Sequence, residues 1–366
     1  MNASYDVIVL GGGAVGAACA RELATSGRRV LVIDRGPLDG AAWPASAGML
    51  APQIEAHAGD PLFDIGLAGR AQYAGLAQSL RSDTGIDIGL WQNGIVRVAD
   101  DEPDAVDLRA KVAWQRQRGH LSDWLDATEV RARWPWLAPT HGALWAPREG
   151  SVDPVALVRA LLADAERHGA VLVRETAVAL EQRDGRVSGV RAAERYAAPS
   201  VVLAAGAWSG RLAGLPRPVS VEPLRGQMIS APWPAGVPRA IVYRDDAYAL
   251  ERGGEMIVGA TREFVGFDAG TTPSGIAELT ESMRSLGPAL AGASPTRAWA
   301  GLRPVTPDGL PIIGAEPRLP GLWYATGHGR NGILLAAVTG TAIRQLLDGH
   351  ETIEQLAPMR PDRFWS

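Results

Sequence analysis

Two short apolar runs flank a helical pattern at the beginning of the chain. Residues 7–10 are Val-Ile-Val-Leu and lead into three glycines, a helical pattern runs from Ala14 to about Ser26, and a second apolar run over 29–33 ends at Asp34. Short, continuously apolar runs bounded by glycine are typical of buried parallel strands. The pattern therefore predicts a strand–helix–strand unit with a right-handed crossover.

Further periodic segments continue the alternation and then give way to a strand-rich stretch. Apolar positions at helical spacing predict helices over 61–82, 102–118, 154–168 and 333–347, and one more after Thr272 and Pro273. Alternating or fully apolar runs predict strands over 95–98, 171–173, 178–182, 187–191, 201–205, 297–302 and 322–325, with several antiparallel strands between 219 and 258.

The apolar strand and helix pattern of the first segment returns near the end of the chain. This order predicts a mixed α/β and α+β architecture: a Rossmann-like dinucleotide-binding domain of discontinuous segments, with an inserted, mostly antiparallel β-sheet domain for the substrate. We expect the first domain to comprise 1–82, 143–215 and 303–366, and the second 83–142 and 216–302. A chain of 366 residues is long enough for two such domains.

Gly11, Gly13 and Gly16 form a Gly-x-Gly-x-x-Gly motif that follows the first strand and opens the first helix. The first glycine permits a tight turn, the second a close approach of the backbone to a pyrophosphate, and the third close helix–strand packing. The acid at the end of the second strand is placed to bind an adenosine ribose. The residues predicted to contact the dinucleotide are Gly11, Gly13, Ala14, Val15, Gly16, Asp34 and Arg35.

Composition and charge narrow the classes of protein. The formal net charge of −4 argues against a nucleic-acid partner, which requires a concentrated basic face. Cys19 is the one cysteine, so a disulfide framework and a cysteine-based metal site are excluded, and we expect no metal. No apolar run is long enough for an integral membrane segment. The apolar stretch 7–20 lacks the basic flank of a signal peptide, so we expect a cytoplasmic protein.

Further motifs carry a family resemblance. Residues 45–50 are Ala-Ser-Ala-Gly-Met-Leu, residues 300–304 are Ala-Gly-Leu-Arg-Pro, residues 307–314 are Pro-Asp-Gly-Leu-Pro-Ile-Ile-Gly, and residues 327–335 are Gly-His-Gly-Arg-Asn-Gly-Ile-Leu-Leu. Together with the glycine motif, and in this order over nearly the whole chain, they resemble the D-amino-acid oxidase superfamily of flavoproteins, most closely the glycine oxidases of thiamin biosynthesis. The resemblance implies FAD as the cofactor and a homo-oligomer, either a dimer or a tetramer.

The resemblance also assigns the flavin contacts. It implies non-covalent FAD, because covalent relatives use a cysteine near the last motif or a histidine near the first, whereas Cys19 lies in the first helix and no histidine precedes His57. Ser46, Ala47, Gly48 and Met49 are implied to line the isoalloxazine ring, the backbone of Val178 to hold the adenine, and Ala205 and Gly206 to pass the phosphates. The implied contacts at the O2/N1 edge of the flavin are Gly329, Arg330, Asn331, Gly332, Ile333 and Leu334, with Arg303 next to both cofactor and substrate.

The same resemblance implies a substrate site. Arg303 matches the arginine whose guanidinium forks onto the substrate carboxylate, and Tyr248 matches a tyrosine whose hydroxyl faces that carboxylate. Arg330 and Glu55 match residues of the pocket and its entrance, and Met49 completes the set. Taken residue by residue, other roles stay open: a surface ion pair for Arg303, a core position for Tyr248, a structural or flavin-side role for Arg330, and a solvated loop acid for Glu55.

Three positions depart from the glycine oxidase pattern. Asp246 stands in place of a pocket histidine, Arg262 in place of a pocket methionine, and Gly329 in place of a residue that is often bulky. An added acid and base near the mouth of the pocket are expected either to select a polar or charged substrate or to pair with each other. Glycine as the sole substrate is therefore in question.

The resemblance implies a reaction. The carboxylate of a small amino acid or amine such as glycine, sarcosine or a small D-amino acid would bind Arg303 and Tyr248, and a hydride would pass from its α-carbon to flavin N5. Hydrolysis of the imine gives a 2-oxo acid and ammonia, and oxygen gives hydrogen peroxide. Two alternatives stay open: a dehydrogenase that passes electrons to a quinone or another acceptor, and a non-catalytic FAD-binding subunit.

His328 is interpreted as a packing or hydrogen-bonding residue.

Overall fold

The computed structural model describes residues 4–36, 39–245, 247–350 and 354–364. Its β-strands, in chain order, are β1 Val7–Leu10, β2 Val30–Ile33, β3 Met49–Leu50, β4 Ile95–Val98, β5 Asp123–Leu125, β6 Ala143–Ala146, β7 Gly150–Ser151, β8 Val171–Val173, β9 Ala179–Arg183, β10 Arg186–Arg191, β11 Arg195–Ala197, β12 Ser200–Leu203, β13 Glu222–Pro232, β14 Ile241–Arg244, β15 Ala247–Arg252, β16 Glu255–Gly259, β17 Arg297–Val305, β18 Ile312–Ala315 and β19 Leu322–Thr326.

The α-helices, in chain order, are α1 Ala14–Thr25, α2 Ala42–Ala45, α3 Pro52–Glu55, α4 Leu62–Thr84, α5 Glu102–Gln117, α6 Ala127–Arg133, α7 Pro154–Arg167, α8 Pro273–Ser285 and α9 Gly332–Leu347. Several of these helices begin directly after a residue whose side chain caps the first turn. Asp153 accepts hydrogen bonds from the first turn of α7, and Thr272 does the same for α8, each followed by proline at the first helical position.

A six-stranded sheet in the order β18-β19-β12-β1-β2-β8 confirms the predicted Rossmann-like unit. The neighbouring strands from β19 to β8 in this order pair in parallel, whereas β18 pairs with β19 in antiparallel fashion. The side chains of β1 alternate between the two faces of the six-stranded sheet. Val7 and Val9 pack with α1, α7 and α9, whereas Ile8 and Leu10 pack with the three-stranded sheet β9–β11. The carboxyl ends of β1, β2 and β12 thus share one edge, where ligands of such sheets bind.

An eight-stranded, mostly antiparallel sheet in the order β17-β13-β16-β15-β14-β4-β6-β5 confirms the predicted second sheet. Its one parallel pair is β14 with β4. One face packs against α6 and α8 around Leu279 and Met283, and the other packs against α5 and the segment 47–54. That second face turns the residues of β13, β15 and β17 toward the edge of the six-stranded sheet.

Several boundaries differ from the sequence expectation. The predicted division at 143 is wrong for one strand, because β6 pairs with β4 and β5 in the eight-stranded sheet and not with the parallel one. The predicted division at 303 cuts β17, which continues to Val305 opposite β13. The strand predicted over 201–205 ends at Leu203, after which the chain turns through Gly206. The first of these errors arises because β4 and β6 are separated in sequence by α5, β5 and α6, so their pairing leaves no local signal.

Close packing of α1 on α9 gives a test of this architecture. A methyl group at Gly340 would lie 2.8 Å from the carbonyl oxygen of Ala18, whereas one at Gly75, on the exposed side of α4, would meet nothing within 4 Å. We expect Gly340→Ala to lower the free energy of unfolding by about 1–3 kcal/mol through overpacking. Gly75→Ala is the matched control and is expected to raise it by about 0.5–1 kcal/mol. Chemical denaturation measures both, and equal effects would contradict the packing.

Candidate active site

A continuous cleft of about 810 Å³ runs between the two sheets. At one end it is lined by the glycine turn after β1 and by the ends of β2 and β12. At the other it is lined by side chains from β13, β15 and β17 and by the segment before α9. The cleft therefore joins the dinucleotide end of one domain to the sheet face of the other.

The glycine turn is fixed by backbone contacts that exclude a side chain. Gly11 has φ of +103°, and a Cβ there would lie 2.4 Å from the carbonyl oxygen of Ala204. A Cβ at Gly16 would lie 1.9 Å from the carbonyl oxygen of Gly11, so α1 packs directly on the turn. Gly16 is buried behind the cleft, which matches the packing role predicted for the third glycine.

Asp34 closes the same turn from β2. Its Oδ2 accepts from the backbone N–H of Gly12 at 2.6 Å, and its Oδ1 accepts from Gly36 N–H at 2.7 Å and from an Arg174 guanidinium nitrogen at 3.2 Å. A carboxylate has about four acceptor sites, so Oδ2 keeps one for a ligand hydroxyl. Arg35 stacks over the ring of Trp208 at 5.0 Å and borders the same end of the cleft.

Two helices begin at the cleft with no side chain capping them. The N-cap of α1 is Gly13 and that of α9 is Asn331, and neither makes a side-chain cap hydrogen bond. The first N–H groups of a helix lack intrahelical acceptors, and the positive end of the helix dipole lies there. On α4, the buried Tyr73 hydroxyl donates to the carbonyl of Ile333 and holds the first turn of α9 in place. Both helix starts thus offer donors to an anionic ligand.

The segment 46–49 crosses between the domains. Gly48 N–H donates to Ser46 Oγ at 3.0 Å, and Val152 N–H donates to the carbonyl of Gly48 at 2.9 Å. Arg252 of β15 donates to the carbonyl of Ala47, and also to that of Val152 at 2.8 Å. This buried guanidinium therefore fixes one wall of the cleft to the eight-stranded sheet.

At the other end of the cleft, Arg303 projects from β17. One terminal nitrogen donates to the carbonyl of Thr261 at 2.9 Å, and a Cβ on Gly226 would lie 2.3 Å from either terminal nitrogen. Burial lowers the pKa of the Arg303 guanidinium, and the positive charges of Arg262 and Arg330 lower it further. Within residues 4–36, 39–245, 247–350 and 354–364, no carboxylate pairs with Arg303. A buried, still cationic fork of this kind binds a carboxylate in bidentate fashion.

A tyrosine pair and an ion pair complete this end. Tyr243 and Tyr248 lie directly opposite each other in the β14–β15 hairpin, with ring centroids 5.5 Å apart. The Tyr243 hydroxyl donates to Glu55 Oε1 at 2.9 Å, and Arg330 Nε lies 2.9 Å from Glu55 Oε2. Burial raises the pKa of both tyrosines, so their hydroxyls stay protonated and act as donors. The Tyr248 hydroxyl is 3.9 Å from the sulfur of Met228, a weak acceptor.

Comparisons with known proteins agree with this geometry. The family described as "DAO: FAD dependent oxidoreductase" matches residues 6–346. The chain belongs to this family. Glycine oxidase of Geobacillus kaustophilus (strain HTA426) is 36% identical over 98% of this chain and 97% of its own. The crystal structure of glycine oxidase from Geobacillus kaustophilus has a TM-score of 0.94 with 34% identity and covers 99% of both chains.

Of two further relatives, one is longer than this chain and the other is named for a different substrate. The bifunctional protein ThiO/ThiG of Nostoc sp. (strain PCC 7120 / SAG 25.82 / UTEX 2576) is 35% identical over 93% of this chain but only 52% of its own length. The iminodiacetate oxidase from Chelativorans sp. BNC1 has a TM-score of 0.89 with 26% identity, covering 97% of this chain and 98% of that one.

The protein is thus an FAD-dependent amine oxidoreductase, and its cleft fits the cofactor. The glycine turn leaves no room for side chains, Asp34 keeps an acceptor for a hydroxyl, and two uncapped helix starts supply donors for phosphate and ring oxygens. His328 lines the cleft with its Nε2 3.0 Å from Thr339 Oγ1, and burial lowers its pKa to about 3. It is neutral at pH 7, in keeping with the hydrogen-bonding role predicted for it.

The structure brings nearly all the predicted site residues of this oxidoreductase to one cleft. Those lining it are Gly11, Gly13, Ala14, Val15, Asp34, Arg35, Ser46, Ala47, Gly48, Met49, Glu55, Val178, Ala205, Gly206, Tyr248, Arg262, Arg303, Gly329, Arg330, Asn331, Gly332, Ile333 and Leu334. The N–H of Val178 donates to Arg191 O at 2.8 Å, so the backbone of Val178 can offer a ligand only its carbonyl, which already accepts from Ala213 N–H at 3.2 Å. Asp246 lies outside the described residues.

Sequence reasoning missed two residues of the site. Tyr243 could have been found as the cross-strand neighbour of Tyr248, because residues paired in adjacent strands of a hairpin bring their side chains to the same face. No local signal marks Arg252, whose partners Ala47 and Val152 lie 205 and 100 residues away in the sequence. Arg252 reaches these carbonyls only because the two domains pack together.

The carboxylate that closes the glycine turn gives a direct test of cofactor binding. We expect Asp34→Ala to weaken FAD binding about 10- to 100-fold, because it removes a charged acceptor from both the turn and the ligand. Fluorescence titration of the apoprotein with FAD measures the affinity. Asp107→Ala, on the exposed face of α5, is the control and should leave it unchanged. Equal affinities for the two variants would contradict the role given to Asp34.

Proposed function

We propose that this protein oxidises glycine and other small amino acids or amines with oxygen as the electron acceptor. The observation that carries the proposal is Arg303, a buried guanidinium at one end of the cofactor cleft, held by Thr261 and beside Tyr248. Such a fork is matched to a carboxylate, and the cleft around it leaves room for a small ligand.

The overall reaction balances without a further reactant. Glycine, oxygen and water give glyoxylate, ammonia and hydrogen peroxide. Bound FAD supplies the acceptor for the hydride that leaves the substrate α-carbon. The residues of the chain bind and orient the substrate: Arg303 and the Tyr248 hydroxyl donate to its carboxylate, and this fixes the direction in which the α-carbon points.

No side chain at this end of the cleft is placed to act as a general base within the described residues. Glu55 accepts from Tyr243 and pairs with Arg330, so its oxygens are occupied. His328 has its Nε2 bonded to Thr339, and burial lowers its pKa to about 3, which makes it a weak base. We infer that the substrate amine reacts in its neutral form and that positioning, not proton abstraction by the protein, carries the rate.

Arg262 gives the site a second positive group. It lines the cleft on the segment after β16, and the neighbouring Glu263 anchors that segment through Arg225 at 2.6 Å and Gln227 at 2.7 Å. The iminodiacetate oxidase relative is named for an amine with two carboxylates. We propose that Arg262 extends the substrate range to amines that carry a second carboxylate. The ThiO/ThiG relative supports a role in thiamin biosynthesis for the glycine activity.

The reaction is tested by oxygen consumption of the FAD-loaded protein with glycine, sarcosine, D-alanine and D-proline, with peroxide assayed in parallel. Turnover with stoichiometric peroxide is expected for glycine and sarcosine. Reduction of the flavin by these amines without oxygen uptake would overturn the oxidase and leave a dehydrogenase that uses another acceptor. Tight FAD binding with no reduction by any amine would leave a non-catalytic subunit.

Arg303→Lys tests the fork in particular. Lysine keeps the charge but not the paired donors, so we expect kcat/KM for glycine to fall about 100-fold, mainly through KM. Arg131→Lys, an exposed arginine on α6, is the control and should change nothing. FAD content must stay the same in both variants. A wild-type kcat/KM for Arg303→Lys would exclude carboxylate binding by this residue.

Arg262→Met tests the second positive group. We expect kcat/KM for iminodiacetate to fall about 10-fold relative to that for glycine, because a charged hydrogen bond to the second carboxylate is lost. Oxygen consumption with the two substrates measures the ratio. An unchanged ratio would mean that Arg262 does not contact the substrate.

A further inference from the structure

The short helix α3 carries Glu55 to the substrate end of the cleft but cannot hold itself in place. It spans only Pro52–Glu55, and its helical hydrogen bonds are those of Glu55 N–H to Ala51 O at 3.1 Å and of Ala56 N–H to Pro52 O at 3.2 Å. Helices this short are unstable without outside contacts. The groups that fix α3 therefore decide where Glu55 lies.

Glu149, in the turn between β6 and β7, holds the N–H groups of α3. Its side chain is fully buried, its Oε1 accepts from Gln53 N–H, and its Oε2 accepts from Ile54 N–H at 3.2 Å. A guanidinium nitrogen of Arg70 on α4 lies 3.6 Å from Oε1. The two carboxylate oxygens thus bind two successive amides of the same turn.

Helix α5 holds the carbonyl groups of the same two residues. Gln115 Nε2 donates to Gln53 O at 2.7 Å, and Lys111 Nζ donates to Ile54 O. The Gln53 side chain is bonded as well, with Nε2 donating to Gln115 Oε1 at 3.1 Å and Arg70 donating to its Oε1 at 2.7 Å. All four backbone polar groups of Gln53 and Ile54 are therefore bound by side chains from elsewhere in the chain.

The next residue is Glu55, which meets Tyr243 and Arg330 at 2.9 Å each. We propose that Glu149 is a positioning residue, which together with Lys111 and Gln115 fixes α3 and through Glu55 sets the place of Arg330 in the substrate site. The kinetic part rests on the proposed function. The structural part, that Glu149 clamps α3, does not.

The clamp is expected to depend on pH, because both Glu149 oxygens accept hydrogen bonds and protonation turns one of them into a donor. Burial raises the pKa of Glu149 to about 8, against the opposing effect of Arg70 and the two N–H groups. The other charged groups nearby are Glu55, Arg148 and Lys111. Burial lowers the pKa of Lys111 to about 8. The two N–H groups lower the pKa of Glu149, so they favour the ionised carboxylate, and their hydrogen bonds to Glu149 weaken as pH falls through about 8. A neutral lysine still donates, so Lys111 does not reverse this direction.

Hydrogen exchange tests the clamp without relying on any activity. In the FAD-loaded full chain at pH 9, Glu149→Gln should speed the exchange of residues 51–56 about 10-fold, because one amide loses its charged acceptor. Mass spectrometry of the peptide measures the rate. Glu278→Gln, exposed on α8, is the control and should leave it unchanged. Equal protection in the two variants would overturn the clamp.

A double-mutant cycle tests the route through Glu55. Glu149→Gln and Glu55→Gln should each raise KM for glycine, and the double variant should be no worse than Glu55→Gln alone. The ratio of wild-type to Glu149→Gln kcat/KM should be about 10 at pH 9 and shrink toward 1 at pH 6.5. Additive effects, or a ratio that does not change with pH, would reduce Glu149 to a structural residue.

A second pair of variants covers the case in which Glu149→Gln fails to fold. Lys111→Met removes only the donor to Ile54 and should raise KM while leaving kcat nearly unchanged, and Lys111→Arg should restore KM. Failure of the arginine to restore it, with FAD content unchanged, would contradict the proposal. If the wild-type protein turns over no amine at all, the proposed function fails, and the exchange rates still decide whether Glu149 clamps α3.

Discussion

The packing of α1 against α9 brings two uncapped helix starts to one edge of the six-stranded sheet, and the rest of the site is arranged around that edge. The helices follow β1 and β19, and they touch so closely that Gly340 leaves no space at the backbone of Ala18. Their positive dipole ends supply backbone donors for the negative charge of a bound dinucleotide. A shift of either helix would separate the two ends of the cofactor cleft.

The substrate end depends on the other sheet and is held differently. Arg303 and Tyr248 project from β17 and β15, where cross-strand pairing fixes their directions, and a glycine on β13 leaves space for the guanidinium. Glu55 ends the four-residue helix α3, and Arg330 pairs with it from the turn before α9. Buried polar groups outside the cleft bind the backbone of α3, so the position of Glu55 depends on side chains that do not line the cleft.

The cofactor end could be predicted from the sequence because its signals are local. Gly11, Gly16 and Asp34 fall within one strand–helix–strand unit, and each has a backbone reason for its residue type. Arg252 and Glu149 could not be predicted, since their partners lie 95 to 205 residues away in sequence and meet them only after the domains pack. The domain boundary predicted at 143 separates β6 from β4 and β5 for the same reason: the sequence of a strand does not specify its neighbours in a sheet.

We propose that one cleft holds FAD and a small amino acid together, with Arg303 binding the carboxylate. Anaerobic mixing of the FAD-loaded protein with glycine in a stopped-flow spectrophotometer tests it most directly. We expect loss of the oxidised flavin absorbance at a rate that saturates with glycine concentration, and a much weaker apparent affinity for methylamine, which lacks the carboxylate. An absorbance that stays unchanged with glycine, or equal affinities for the two amines, would contradict it.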